Sequence, residues 1–162
     1  MPLEQSLETQ LKGIVGDDWV ISDPGRLLAY ESDGLTAYRM PPMAVVLPKD
    51  TDEVSRVLQL LSNAGVPVVP RGAGTGLSGG ALAGEGSVVI GTARMSRILE
   101  VDAENRLALV QAGVINAHLT EAADPFGLYY APDPSSQSAC TLGGNVAENS
   151  GGPHCLKYGV TS

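Results

Sequence analysis

The segment Pro70-Arg-Gly-Ala-Gly-Thr-Gly-Leu-Ser-Gly-Gly80 follows an apolar run, Val66-Pro-Val-Val69, and reads as a strand that opens into a loop of nearly bare backbone. Glycine lets successive N–H groups converge on an anion, because no Cβ stands in the way and positive φ angles are open. The loop is therefore a candidate phosphate cradle, to which Arg71 adds one positive charge. A second tract, Cys140-Thr-Leu-Gly-Gly-Asn-Val-Ala-Glu-Asn-Ser-Gly-Gly152, repeats the enrichment further along. A ligand gripped at two such points has the size of a dinucleotide.

Two familiar phosphate motifs are excluded. No Gly-Lys-Ser or Gly-Lys-Thr follows the first loop, so triphosphate hydrolysis of the P-loop kind has no support. Gly74-Thr-Gly-Leu-Ser-Gly79 matches G-x-G-x-x-G after a strand, but Ala81-Leu-Ala-Gly-Glu-Gly86 is too short and glycine-rich to supply the Rossmann helix. Other candidate groups read as structural. His118 sits on a helix and takes no role, His154 is a loop residue that packs, and the acid pairs Asp17-Asp18 and Asp52-Glu53 fit a turn and a helix N-terminus. No serine, histidine and carboxylate grouping suggests a hydrolase.

The elements that must position these tracts follow from periodicity. Leu3, Leu7, Leu11, Ile14 and Val15 recur at helical spacing and predict a helix over 3–15, ending near Gly16. Asp23 caps a short helix starting at Pro24, and Ala44-Val-Val-Leu47 is a strand. Asp50-Thr-Asp-Glu53 has the form of a capping box, opening a helix that Gly65 ends. The strands on either side of that helix are expected to be parallel. Ser87-Val-Val-Ile90 is a further strand, Ile98–Val101 and Leu107–Val110 form an antiparallel pair, Asn116–Ala123 a helix and Leu128-Tyr-Tyr130 a short strand. The expected fold class is α+β with small mixed sheets and flanking helices, not Rossmann, in two lobes of about 1–86 and 87–162.

With 43% hydrophobic and 17% charged residues, the chain can bury a core. Its net charge of −8 and the absence of a basic stripe argue against nucleic acid as a partner. No run of uninterrupted apolar residues is long enough for a transmembrane segment and no signal peptide is visible, so a cytoplasmic protein is expected. Cys140 and Cys155, the two cysteines, have neither zinc nor CxxC spacing and are read as reduced.

Together the first loop, Leu142-Gly-Gly-Asn-Val-Ala-Glu-Asn-Ser-Gly-Gly152 and Leu156-Lys-Tyr-Gly-Val160 resemble the FAD-binding (PCMH-type) domain of the vanillyl-alcohol oxidase and p-cresol methylhydroxylase superfamily. Within it, the glycolate oxidase subunit and D-lactate dehydrogenase group is the most similar branch, and Tyr30-Glu-Ser-Asp-Gly34 and Val45-Val-Leu-Pro48 belong to the resemblance. It implies that Arg71, Gly72, Ala73, Gly74, Thr75, Gly76, Leu77 and Ser78 wrap the FAD pyrophosphate, with the hydroxyls of Thr75 and Ser78 assisting. It further implies that Thr141, Gly143, Gly144, Asn145, Asn149, Gly151, Gly152 and Gly159 serve the flavin side, and that Pro132 and Asp133 form the turn leading there.

Thr75 stands where some members attach flavin to a histidine, and Cys140 reads as a small buried residue, so non-covalent FAD is expected. The resemblance also implies a chain incomplete at its C-terminus, without the cap domain that completes the pocket and supplies basic and metal-binding residues. Either a truncated form or a piece that works with a separate partner chain or electron-transfer subunit would account for this. The implied reaction is oxidation of a small 2-hydroxy acid, glycolate or D-lactate, by hydride transfer to flavin. A non-catalytic FAD-binding or assembly fragment is the alternative, and a sugar-nucleotide reductase of the same superfamily a weaker one.

Overall fold

The structure is a computed structural model that describes residues 3–161. It divides into two compact units, one ending at Arg94 and the other beginning at Met95. The expected lobe boundary near residue 86 falls earlier, ahead of a strand that pairs inside the first unit.

The first unit contains α1 (Gln5–Val15), β1 (Val20–Ile21), α2 (Pro24–Leu27), β2 (Ala44–Val46), α3 (Thr51–Asn63), β3 (Val68–Arg71) and β4 (Val88–Gly91). Its sheet has the order β1-β2-β4-β3, with β1 antiparallel and the other pairings parallel. As the helical crossover predicts, β2 and β3 run in one direction. They are not neighbours, because β4 inserts between them and pairs with both.

Alternation along β2 decides what each sheet face meets. Ala44 and Val46, with Val88 and Ile90 of β4, bury against Leu7 and Leu11 of α1 and Val57 and Leu61 of α3. Val45 and Leu47, with Val89, bury on the other side with Ile21, Leu27 and Ala83. Both faces are covered, which is why β2 and β4 read as unbroken apolar runs.

The capping box of α3 is present with its return bond shifted by one residue: Asp50 Oδ1 accepts the Glu53 N–H at 2.9 Å, and Glu53 Oε2 accepts the N–H of Lys49, just before the cap, at 2.9 Å. Arg94 fastens the end of the unit, donating to the Leu47 carbonyl at 2.7 Å with its guanidinium 4.0 Å from the Trp19 ring centroid.

The second unit contains the antiparallel hairpin β5 (Ile98–Asp102) and β6 (Leu107–Val110), then α4 (Asn116–Ala123), α5 (Leu142–Ala147) and α6 (Cys155–Tyr158). Its core gathers Val114, Leu119 and Leu142, with Ile98, Val110 and Tyr130 against them. Two elements differ from expectation. Residues 128–130 form no strand, since the Leu128 N–H closes onto the Ala123 carbonyl and the Tyr130 N–H onto Thr120 Oγ1. The second glycine tract contains a helix, α5, because Thr141 caps it by accepting the Gly144 N–H at 3.2 Å.

Candidate cofactor site

The first glycine loop leaves the C-terminal end of β3, the edge strand that pairs in parallel with β4, and carboxyl ends of parallel strands are where open α/β sheets present ligands. The Arg71 side chain turns inward: Nη1 donates to the Ser32 carbonyl at 2.9 Å, and the guanidinium lies 5.6 Å from the Tyr30 ring centroid. Burial pushes Arg71 below its ordinary value, against the opposing pull of Tyr30 and Asp33. Arg71 thus acts as an internal post. A Cβ on Gly74, which has φ of 73°, would collide with that guanidinium, so glycine at 74 lets the chain fold over Arg71 without strain.

The loop is held from below by residues 32–34. The Gly34 N–H donates to the Gly76 carbonyl at 2.9 Å, and the Gly79 N–H to Asp33 Oδ2 at 2.9 Å. A Cβ on Gly34 would lie 2.7 Å from the Thr75 carbonyl oxygen, so the two segments approach as closely as backbone allows. Among the described residues, the N–H groups of Gly72, Ala73, Gly74, Thr75, Gly76 and Leu77 take no protein partner. A run of donors on a loop fastened elsewhere is the chemistry of an anion cradle. Thr75 and Ser78 place hydroxyls on the same loop.

The second tract works differently. The Leu142 N–H bonds the Val114 carbonyl and the Gly143 N–H the Ala112 carbonyl, each within 2.9 Å. The Asn145 and Glu148 N–H groups are taken within or at the end of α5. Its glycines permit contact: a Cβ on Gly143 would lie 2.9 Å from Ala112 Cβ, one on Gly151 would strike Cys155 Sγ, and one on Gly152 would strike the Asp133 carbonyl oxygen. Asp133 is joined to this turn by the His154 ring, Nδ1 to Oδ2, at 2.6 Å. Burial raises the Asp133 pKa, but the hydrogen bonds from the His154 backbone and ring outweigh it and leave the carboxyl below its ordinary value.

Asn149 adopts φ of 52°, and Gly159, at φ of 80°, follows α6 and returns its N–H to the Cys155 carbonyl. Pro132 is fixed through its carbonyl, which accepts Asn116 Nδ2 at 2.8 Å. Within the second unit, then, Pro132, Asp133, Gly151 and Gly152 form one clamp, and Thr141, Gly143, Gly144 and Asn145 form one helix start.

Among the described residues, some buried side-chain atoms lack a hydrogen-bond partner. Asn145 is 2% exposed with Nδ2 lacking a partner, and Asn116 Oδ1 and Thr92 Oγ1 are in the same condition. Sequence reasoning singled out Asn145 but missed Asn116, Thr92 and Asp33. Asn116 and Thr92 carry no composition signal, since one asparagine at a helix start and one threonine after a strand are ordinary. Asp33 lay inside Tyr30-Glu-Ser-Asp-Gly34, a segment noted without a role for its acid. An apolar hollow of about 570 Å³ in the second unit, between β6, α4 and residues 127–131, is lined by none of the predicted ligand residues.

Comparison with known proteins gives the family of the chain. Residues 42–162 match a protein family described as an FAD binding domain. The chain is 56% identical over 135 residues to the glycolate oxidase subunit GlcD of Escherichia coli strain K12, covering 83% of this chain and 27% of that protein. It is 46% identical over 116 residues to a D-lactate dehydrogenase of Archaeoglobus fulgidus, covering 72% of this chain and 26% of that one. The chain therefore spans about a quarter of the length of these relatives.

Among solved structures, alkyldihydroxyacetonephosphate synthase superposes with a TM-score of 0.87 at 26% identity, covering 98% of this chain and 32% of that one. Substrate-bound p-cresol methylhydroxylase superposes with a TM-score of 0.72 at 21% identity, over 86% of this chain and 29% of that one, a likeness of fold alone. The described residues contain no helix long and apolar enough to cross a membrane.

Proposed function

The chain belongs to the FAD binding domain family, and from that premise we propose that it is the flavin-holding part of an enzyme that oxidises a small 2-hydroxy acid. The observation that carries the reading is the run of N–H groups from Gly72 to Leu77, without a protein partner among the described residues, on a loop fastened to residues 32–34. Neutral dipoles of this kind hold a pyrophosphate without a lysine or a metal. They also allow a protein of net charge −8 to bind a dianion locally.

In this reading Arg71 to Ser78 take the pyrophosphate of FAD through backbone groups and the hydroxyls of Thr75 and Ser78. Thr141, Gly143, Gly144, Asn145, Asn149, Gly151, Gly152 and Gly159 serve the flavin side, where the unpartnered Asn145 Nδ2 gives a buried donor, and Pro132 and Asp133 set the turn. When bound, FAD supplies the two-electron acceptor. The protein residues bind it, orient it and exclude water. Thr75 and the buried Cys140 leave attachment non-covalent. The 2-hydroxy acid class, glycolate or D-lactate, is supported by the names of the relatives, and a partner subunit by the word subunit in the name of one of them; a cytoplasmic setting belongs to the same proposal.

The test is a visible absorption spectrum of the purified full-length protein after incubation with FAD and removal of excess, followed by anaerobic addition of glycolate or D-lactate. Retained flavin bands that bleach with one of these acids are expected. Retained flavin that no 2-hydroxy acid reduces would remove the substrate assignment while leaving the cofactor one. Absence of flavin from a folded protein would remove both.

A further inference from the structure

We propose that Asp33 is a positioning residue for the anion-binding loop, holding Gly72 to Leu77 in the binding conformation before any ligand arrives. Asp33 is 6% exposed, and its two oxygens do separate work. Oδ1 accepts the Leu35 N–H at 2.8 Å and so turns its own segment, while Oδ2 accepts the Gly79 N–H at 2.9 Å across 46 residues of sequence. One end of the loop is fixed by Arg71 in β3, and Asp33 fixes the other at Gly79, whose φ of 81° needs glycine.

Between these ends, the Gly34 N–H takes the Gly76 carbonyl at 2.9 Å. In a trans peptide the carbonyl and the next N–H point in opposite directions. Binding the Gly76 carbonyl from below therefore aims the Leu77 N–H away from residues 32–34. Arg71 Nη1 on the Ser32 carbonyl, at 2.9 Å, ties the same segment to the start of the loop. Both Asp33 oxygens are taken by backbone N–H groups, so it acts through Gly79 and through the turn that sets Gly34. Preorganised donors bind an anion without the ordering cost of a mobile glycine loop.

The inference rests on reading this loop as the phosphate contact, and the experiment separates the two. Hydrogen exchange of the FAD-free full-length protein is compared with that of Asp33→Asn, and both proteins are titrated with FAD and with riboflavin, which lacks phosphate. In the wild type without FAD, the Gly79 amide should exchange at least about a hundredfold more slowly than in an unstructured peptide. In Asp33→Asn, which has one accepting oxygen for the two N–H groups of Leu35 and Gly79, exchange should rise at one of these amides and the FAD dissociation constant should increase about tenfold, with riboflavin binding unchanged.

An unprotected Gly79 amide in the FAD-free wild type overturns the proposal. So does an equal loss of FAD and riboflavin binding in Asp33→Asn, which a merely structural role would give. If the wild type binds no flavin, the functional reading falls, and protection of the Gly79 amide in the wild type alone decides whether Asp33 locks the loop.

Discussion

The two glycine tracts share a composition and use it in opposite ways. In the first, from Arg71 to Gly80, glycine supplies conformations: Gly74 and Gly79 have positive φ, and the N–H groups of Gly72 to Leu77 have no protein partner among the described residues. In the second, glycine supplies proximity: Gly143, Gly151 and Gly152 are packed so that a Cβ would strike Ala112, Cys155 or Asp133, and the amides of 142–145 are committed to the fold. One tract keeps its backbone polarity for a ligand and the other commits it to structure. Glycine enrichment alone does not say which.

The largest expected effect tests that division. Gly152→Ala places a methyl against the Asp133 backbone, which cannot rotate away, so the second unit must repack at a cost of about 3 kcal/mol. Urea unfolding should show it as a lowered midpoint. Gly74→Ala meets the end of the Arg71 side chain and a positive φ, and should cost about 1–2 kcal/mol. Its main consequence should be a loss of FAD affinity larger than its loss of stability, read by flavin fluorescence titration beside the same urea curve. Equal ratios of affinity loss to stability loss in the two variants would erase the distinction between the tracts.

The sequence made much of this arrangement legible, and the failures have physical causes. Periodicity located α1, α3 and α4, and the Asp50–Glu53 capping box marked the start of α3, because caps and apolar stripes are local properties. The position of β4 was not legible, since inserting it between β2 and β3 depends on long-range pairing. Leu128–Tyr130 looked like a strand because aromatic residues favour sheets, but no partner strand takes its amides, which bind Ala123 and Thr120.

α5 was hidden for the reverse reason. Its Leu-Gly-Gly-Asn start has poor helix propensity, and the Thr141 cap and the Ala112 and Val114 carbonyls override it. Of the site, the donors of the first loop were visible in the glycines. Their support was not, because Asp33 lies far away in sequence and its role is a pair of backbone hydrogen bonds. Arg71 was read as a charge for the ligand, whereas its side chain binds the Ser32 carbonyl and faces Tyr30.

The smallest expected effect concerns the polar clamp of the second tract. The Asp133 carboxyl is held below its ordinary value of 3.8, so its protonation in the folded state requires a lower pH than in the unfolded chain. A group depressed in this way contributes stability above the unfolded value, and loses that contribution as the pH falls through the folded one. His154→Ala removes the ring from Oδ2 but leaves the backbone N–H at position 154, which donates to Oδ1 at 3.3 Å. The folded value should therefore move only part of the way back. Thermal melts of wild type and His154→Ala should differ slightly at about pH 5, and the difference should vanish as the pH falls through the folded values, where Asp133 becomes protonated in both. A difference that persisted unchanged into acid would mean that His154 stabilises the turn through its ring contact with Tyr129, centroids 5.7 Å apart, and not through the carboxylate. The clamp would then hold Gly152 by packing alone, and the second tract would be still further from the first, whose loop is held by hydrogen bonds to its backbone.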